Sequence, residues 1–290
     1  MVSGQVSSAF IGPSIGEDHS KILYNSTEFL VLKNKEHMLP NLTVDFTPFE
    51  IFLQESEKIE LDFSYKLNNF GHRSDDFEED TNYLLFAGCS FTFGEGLPYK
   101  QNWSGLIHEK IIKQDSGISP KYYSLGYCGG SVEDICKNII SYVNSFGDPK
   151  TIFALFPEFS RKNALIDNNE YTLSPRERED KTTVWGDNPD ILAFRFGHEK
   201  IKNLSDFAND RGIQFFWSTW SETDMKLLDQ YPAADGYIKT DNSKILKMCQ
   251  LKTRSNKKYY DRARDRVHPG FCYHSGVANI FLKEYLARQT

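Results

Sequence analysis

The chain has few cysteines, no long apolar run and fewer basic than acidic residues, 34 against 40. Its 290 residues include five cysteines, an odd number without a recognisable spacing. This pattern indicates reduced thiols in a cytosol-like compartment rather than a disulfide framework. No run approaches the roughly 18 apolar residues of a membrane helix, so we expect no membrane span and no membrane partner. Because residues 1–18 lack the basic and apolar regions of a signal peptide, we expect a cytoplasmic protein.

The formal net charge of −6 argues against a nucleic-acid-binding protein. A local exception is the basic stretch 252–266, which carries Tyr259 and Tyr260. Basic residues interleaved with aromatic ones bind nucleic acid in some proteins, but such a run is more often a solvated face. A third interpretation is that the stretch attracts an anionic or sugar-bearing substrate. We expect no nucleic-acid partner.

Bulky core residues are plentiful, since the chain has 22 phenylalanines and 15 tyrosines. They suit one large domain, or one domain with an elaborated end. From residue 83 onwards, apolar runs of strand length alternate with apolar residues at helical spacing, which predicts an α/β fold with a parallel, doubly covered sheet. The predicted strands are 83–87, 122–125, 151–156 and 213–218, and the predicted helices are 103–112 after a cap at Asn102, 131–146 opened by Ser131, 199–211 and 274–287.

Two segments fall outside this alternation. Residues 1–64 mix short apolar runs with prolines and are predicted to form a β-rich N-terminal extension. Residues 160–198 are polar and are predicted to be a lid inserted into the α/β domain of residues 65–290. A long connection inside a compact domain is usually functional or disordered, so we expect this lid to cover the carboxyl edge of the sheet.

Ser90 stands where a buried strand meets the glycine-bounded turn Gly88-Cys89-Ser90. Open α/β folds bind ligands at the carboxyl ends of their strands, so this turn presents the hydroxyl at a binding edge. Much later in the chain, Asp265 precedes His268 by three residues. A nucleophile, a base and a carboxylate that orients the base are the parts of a serine hydrolase. The alternatives are a turn serine bonded to nearby backbone and a histidine that caps the last helix.

Four segments resemble sequence blocks of the SGNH/GDSL hydrolase family. Residues 88–90 resemble its Gly-Asp-Ser block, with cysteine in the middle position, and residues 91–96 resemble the tail of a variant of that block. Residues 69–75 resemble a segment that often precedes it. Residues 265–269 match the last block, Asp-x-x-His-Pro, in full. The resemblance covers roughly residues 65–160 and 213–288.

The resemblance implies a flavodoxin-like three-layer fold and ester hydrolysis through an acyl-Ser90 intermediate. His268 would act as the base and Asp265 would orient it. The resemblance implies no cofactor and a small-molecule or carbohydrate ester as substrate, carrying an O-acetyl or other short acyl group. Two alternatives stay open: a non-enzymatic binding or structural protein that keeps the fold, and an acyltransferase that uses the same residues. The sequence carries no indication of an oligomeric state.

The oxyanion of an acyl-transfer intermediate needs hydrogen-bond donors. One predicted donor is the Ser90 backbone N–H, and the resemblance implies a second in Gly129, which lies in a glycine-rich loop between a strand and a helix. The family's third donor is an asparagine, but Glu158 stands in that position, and an ionised carboxylate donates no hydrogen bond. Three interpretations stay open: Arg161 or Asn163 donates instead, Glu158 binds a substrate hydroxyl or pairs with Arg161, or the site has lost strong hydrolase activity.

Three further residues lie near the predicted edge. Trp220 follows the strand 213–218 and is predicted to face a substrate cleft, whereas Trp217 is predicted to pack in the core. Aromatic walls with a few polar groups suit carbohydrate or acyl ligands. Cys89 replaces the family's acidic residue, and we expect a small buried side chain there.

A metal centre is the last candidate in this part of the chain. Histidine, cysteine and aspartate side chains occur close together, but their spacing matches no standard structural zinc site. We therefore expect no metal, and His274 is predicted to begin the last helix. The residues considered are Asp265, His268, Cys272 and His274.

Overall fold

The computed structural model of the chain describes residues 68, 70, 72–166, 169–173, 189–252, 258–260, 263 and 268–289. The predicted extension 1–64 and Asp265 lie outside these residues. The described strands are β1 (Leu84–Gly88), β2 (Tyr123–Gly126), β3 (Thr151–Phe156), β4 (Lys162–Ile166), β5 (Asn169–Leu173), β6 (Gln214–Thr219), β7 (Gln250–Lys252) and β8 (Lys258–Tyr260). The described helices are α1 (Ser90–Phe93), α2 (Trp103–Gln114), α3 (Val132–Phe146), α4 (Pro189–Asp210), α5 (Glu222–Leu228), α6 (Asn242–Met248) and α7 (Phe271–Ala287). Within this part of the chain, no helix combines the length and the apolar character that crossing a membrane requires.

Four of these strands form one parallel sheet in the order β2-β1-β3-β6. Gly88, the last residue of β1, lies opposite Gly126 of β2 on one side and Leu155 of β3 on the other. The chain thus passes from β1 to one neighbour and then crosses to the other, which is the flavodoxin-like strand order. The carboxyl end of β1 lies at this switch point, where open α/β folds bind their ligands.

The sheet is covered by helices on both faces. Leu85 and Ala87 of β1 pack in a core cluster with residues of α3 and α4, whereas Leu84 and Phe86 pack with residues of α2, α6 and α7. All four side chains are fully buried, and burying a leucine or phenylalanine side chain contributes roughly 1.5–3 kcal/mol. The predicted three-layer α/β/α architecture with a parallel sheet is confirmed.

The helices α2 and α3 begin at side-chain caps. Asn102 accepts a hydrogen bond from the Gly105 N–H, as the sequence predicts for a cap at this position. Ser131 accepts from the Asp134 N–H, and the Asp134 carboxylate in turn accepts from the Ser131 N–H. Such caps satisfy N–H groups that a helix leaves without an internal partner and are worth about 1 kcal/mol each.

The outer edge of β2 is covered by the segment that precedes β1. The Ser74 hydroxyl donates to the Tyr122 carbonyl at 2.9 Å and accepts from the Ser124 N–H at 3.1 Å. The Asp75 N–H donates to the same carbonyl at 2.9 Å, and its carboxylate accepts from the Tyr122 N–H at 2.8 Å. These bonds occupy backbone groups that an edge strand otherwise exposes.

The segment predicted to be a lid contains regular structure. β4 and β5 pair as an antiparallel hairpin, and α4 begins at Pro189, ten residues before the predicted start at residue 199. The predicted boundary is wrong because Pro189 fits the first position of a helix and because Ala193 and Phe194 are buried in the core. The last helix likewise begins at Phe271, before the predicted residue 274. Covering of the sheet edge by this segment stays a prediction.

A disulfide joins Cys249, which follows α6, to Cys272 in the first turn of α7. Their Cα atoms lie 5.6 Å apart, within the usual range for a cystine. The expectation of reduced thiols is therefore wrong for this pair. Cysteine spacing does not reveal which distant residues the fold brings together, and 23 positions separate these two along the chain.

Candidate active site

Ser90 is the first residue of α1, directly after β1, and its helix lies close against the ends of two strands. A side chain at Gly88 would reach Leu155 O at 2.6 Å, and one at Gly126 would reach the Phe93 N at 2.5 Å. Both distances are too short for real carbon contacts, so these positions need glycine to let the backbone approach. The two glycines thereby hold Ser90 at the carboxyl edge of the sheet.

The end of α1 folds back towards its first residue. Gly94 adopts φ 74°, and Gly96 adopts φ 76°, both in the left-handed region that favours glycine. The N–H groups of Gly94 and Glu95 both donate to the Ser90 carbonyl, at 2.9 and 3.2 Å. This turn ties Glu95 to the residue that carries the candidate nucleophile.

Arg73 clamps the same turn from outside the sheet. Its Nη1 lies 3.1 Å from the Phe93 carbonyl oxygen, 3.0 Å from that of Gly94 and 2.9 Å from that of Leu97. The side chain is buried, with 6% of the residue exposed. A buried guanidinium that donates to several carbonyls in this way fixes the path of the backbone.

The structure brings Ser90 and His268 together. His268 Nε2 lies 2.9 Å from Ser90 Oγ, and the His268 carbonyl accepts from the Ala263 N–H at 3.0 Å. A proton on Nδ1 leaves Nε2 free to accept the Ser90 proton, which is the tautomer that a general base requires. Asp265, the predicted orienting carboxylate, lies outside the described residues, and its role stays a prediction.

Glu95 is part of this site and was not predicted from the sequence. Its Oε2 lies 3.6 Å from His268 Nε2, the nitrogen that also contacts Ser90. The Cys128 thiol donates to the same carboxylate oxygen at 3.0 Å. The Glu95 side chain is 35% exposed, so a ligand can reach it. The one sequence signal is an acidic residue between two glycines, directly after the nucleophile block.

The loop 126–130 follows β2, the strand next to β1, and lies beside α1. The Tyr127 N–H donates to the Gly88 carbonyl at 3.2 Å, which extends the strand pairing, and Cys128 reaches Glu95. Gly129 is exposed and adopts φ 83°, a conformation that favours glycine. Donation of the Gly129 N–H to an oxyanion stays a prediction.

Glu158 and Arg161 form an ion pair after β3. Arg161 Nη2 and Nε lie 3.1 and 3.2 Å from Glu158 Oε2, and the two side chains are only 14% and 24% exposed. One of the interpretations left open by the sequence was that Glu158 pairs with Arg161, and the structure has this geometry. Asn163 lies in β4, opposite Thr172 of β5.

Aromatic rings connect this ion pair to the nucleophile. The Phe91 and Trp220 rings stack with centroids 4.9 Å apart, and the Phe91 ring meets the His268 ring edge-on at 5.8 Å. The Arg161 guanidinium lies 5.7 Å from the Trp220 ring centre. Trp220 Nε1 also donates to the buried Cys89 sulfur at 3.4 Å. Trp220 therefore lies next to the nucleophile turn.

Solved structures similar to this chain include an acetylxylan esterase and two proteins assigned to a lipolytic family. An acetylxylan esterase from Geobacillus stearothermophilus is 12% identical, with a TM-score of 0.44 over 72% of this chain and 95% of that one. A protein assigned to the lipolytic G-D-S-L family from Desulfitobacterium hafniense DCB-2 is also 12% identical, with a TM-score of 0.40 over 72% of this chain and 99% of that one. A member of the same family from Veillonella parvula DSM 2008 has a TM-score of 0.31 at 12% identity, over 71% of this chain and 99% of that one.

No protein-family model matches the chain, and no curated protein sequence matches it. Any activity proposed for this chain therefore rests on its own residues. Those residues supply a hydroxyl beside a base, a carboxylate at the same base and an aromatic wall. A hydroxyl within hydrogen-bond reach of a base is the pairing that activates a nucleophile.

The residues considered for zinc have other partners. Cys272 is bonded to Cys249, and His274 Nδ1 accepts a hydrogen bond from the Trp103 N–H at 3.1 Å. Trp217 is fully buried in the core, as predicted. Among the residues that the structure describes, no three histidine, cysteine, aspartate or glutamate side chains form a group that could hold a metal ion.

Proposed function

We propose that the protein is a serine ester hydrolase of the SGNH/GDSL type. The observation that supports this most strongly is the 2.9 Å contact between Ser90 Oγ and His268 Nε2. This contact lies at the carboxyl end of β1, at the switch point where α/β folds bind ligands. A hydroxyl is a poor nucleophile at neutral pH, and an imidazole within hydrogen-bond reach is what activates it.

The reaction proceeds in two steps. In the first, Ser90 Oγ attacks the ester carbonyl carbon while His268 Nε2 takes the hydroxyl proton, and Nε2 then protonates the departing alcohol oxygen as the ester C–O bond breaks. In the second, His268 takes a proton from water, whose oxygen attacks the acyl carbon. The bond between that carbon and Ser90 Oγ then breaks, Nε2 returns its proton to Oγ, and the carboxylic acid leaves. Asp265 orients the imidazole, and the N–H groups of Ser90 and Gly129 stabilise the oxyanion.

Glu158 holds Arg161 beside Trp220 and does not donate to the oxyanion. The Arg161 guanidinium offsets the negative charge of the Glu158 carboxylate, which would otherwise disfavour a nearby oxyanion. Arg161, Glu158 and Trp220 then form the substrate-binding wall. An aromatic face with polar groups around it suits an O-acetyl or other short acyl ester of a carbohydrate.

Replacement of the nucleophile tests the proposal. Ser90→Ala is expected to lower p-nitrophenyl acetate turnover by at least roughly 10³-fold and to abolish labelling by a fluorophosphonate probe. Its circular dichroism spectrum should match that of the wild type. The matched control is Ser145→Ala, near the end of α3, which should keep both turnover and labelling. Equal turnover by wild type and Ser90→Ala would reject the hydrolase and favour a binding protein.

A further inference from the structure

We infer that Glu95 binds a hydroxyl group next to the ester oxygen of the leaving alcohol, so that the enzyme selects esters of polyols and sugars. This inference rests on the proposed function. It deepens that function, because it concerns the alcohol side of the substrate. The observation behind it is that Glu95 and Ser90 both face the same nitrogen of His268.

The position of Nε2 locates the leaving group. During acylation this nitrogen gives its proton to the alcohol oxygen, so that oxygen must come within hydrogen-bond distance of Nε2. Glu95 Oε2 lies only 3.6 Å from the same atom. A hydroxyl on the carbon adjacent to the one that bears the ester oxygen therefore comes within reach of the Glu95 carboxylate.

Glu95 is held in place for such a role. The left-handed glycines on either side and the bond from its N–H to the Ser90 carbonyl set its backbone. The Cys128 thiol donates to Oε2. An ionised carboxylate accepts about four hydrogen bonds, so one thiol leaves capacity for a ligand hydroxyl.

The chemistry of a carboxylate also restricts the ligand. It is acceptor-only, so a leaving group must bring a donor, and it repels a leaving group that carries negative charge. Phe91 contacts both the His268 ring and Trp220, which gives the neighbouring wall an apolar face. A polyol or sugar offers both features, with C–H groups for the ring and a hydroxyl for the carboxylate.

The test compares two acetates that differ in one donor. 2-Hydroxyethyl acetate has a hydroxyl on the carbon adjacent to the one that bears the ester oxygen. 2-Methoxyethyl acetate has a methyl ether in place of that hydroxyl. The wild type is expected to prefer the hydroxyl compound in kcat/KM by about tenfold to a hundredfold, the range for a hydrogen bond to a charged group. Glu95→Leu should bring the ratio close to one.

Two further variants complete the test. Glu95→Gln keeps an acceptor of the same shape but removes its charge. Its ratio of kcat/KM values for the two acetates should therefore fall between those of the wild type and Glu95→Leu. Glu109→Leu, which removes a carboxylate on the surface of α2, should keep the wild-type ratio. Because the ratio compares two substrates on one protein, a partial loss of folding does not change it.

Three outcomes overturn the inference. A wild-type kcat/KM ratio near one would mean that no group of the protein binds the hydroxyl. An equal loss on both substrates in Glu95→Leu would mean that Glu95 acts through His268 and not on the alcohol. With either result, Ser90-dependent turnover of the acetates would leave the esterase proposal intact, whereas the absence of any Ser90-dependent turnover would overturn both.

Discussion

His274 Nδ1 accepts a hydrogen bond from the Trp103 N–H, 3.1 Å away, and so joins α7 to the start of α2. The first N–H groups of a helix have no partner within the helix, so an acceptor from another element stabilises it. His274 is buried, and only the neutral imidazole offers an acceptor nitrogen. The contact therefore depends on the protonation state of His274.

Stability should fall in mild acid because of this residue. Burial, and then the nearby His268, lower the pKa of the His274 imidazole to about 3. The unfolded chain takes up this proton near pH 6.5 and the folded chain only near pH 3, so the contribution is complete above about pH 6.5 and is lost as the pH falls towards 3. At pH 5 the loss is about 2 kcal/mol.

Urea unfolding at pH 7 and pH 5 measures this loss. His274→Asn keeps an acceptor for the Trp103 N–H but cannot take up a proton in this range. Its free energy of unfolding should differ between the two pH values by about 2 kcal/mol less than that of the wild type. An identical pH dependence in both proteins would show that His274 does not control it.

Arg73→Met should lower both stability and Ser90 reactivity. The variant leaves three carbonyl groups around the end of α1 without their buried cationic donor, at a cost of roughly 3 kcal/mol. It also releases the turn that holds Ser90, so fluorophosphonate labelling should slow. Arg211→Met, which removes a partly exposed partner of Asp148, serves as the control and should cost less than about 1 kcal/mol. Unchanged labelling in Arg73→Met would show that the clamp does not position the nucleophile.

Glu158→Asn should lower the turnover of an acetylated sugar, because it releases Arg161 from its position beside Trp220. Arg161→Met should cause a similar loss, and the double variant should lose little more than either single one, as expected for two residues that act as a unit. Steady-state kinetics of the three variants measure this coupling. If Glu158→Asn instead raised turnover, by about the hundredfold that one oxyanion donor is worth, the asparagine position would be a donor site that Glu158 blocks.

Removal of the cystine should destabilise the fold. Chain-entropy estimates for a loop closed across 23 positions give about 3 kcal/mol. Cys249→Ser and Cys272→Ser should therefore lower the free energy of unfolding by similar amounts, and the double variant by no more than either. Wild type treated with dithiothreitol should unfold at the urea concentration of the variants. A wild-type transition that does not respond to the reductant would contradict the prediction.

Local chemistry made part of the fold predictable. Asn102 and Ser131 are cap residues whose side chains act within one helical turn, so the starts of α2 and α3 can be inferred from sequence. The strand before Ser90 is predictable for a similar reason, since a continuous apolar run that ends at glycine is typical of a buried parallel strand. The meeting of Ser90 and His268 was predicted from the residue types that a serine hydrolase requires and from the family resemblance, because local chemistry alone does not bring together residues so far apart in the chain.

Long-range geometry was not predictable. Glu95 reaches His268 because Gly94 and Gly96 both adopt positive φ values, and a glycine in the sequence does not indicate which way the chain turns. Cys249 meets Cys272 only because α6 packs beside α7. The early start of α4 was missed because the apolar run at residues 191–194 directly follows a long polar stretch and was grouped with it.

The bonds of residues 73–75 determine where the chain can be divided. Arg73 holds the turn after Ser90, and Ser74 and Asp75 complete the edge of β2, yet all three precede the first strand of the sheet. A fragment that began at β1 would retain every strand of the main sheet but would lose the clamp on its nucleophile and expose a strand edge to other chains. The smallest fragment able to keep the geometry around Ser90 therefore begins upstream of Arg73, and a fragment that begins at β1 should lose fluorophosphonate labelling of Ser90 while it keeps the strands of the main sheet.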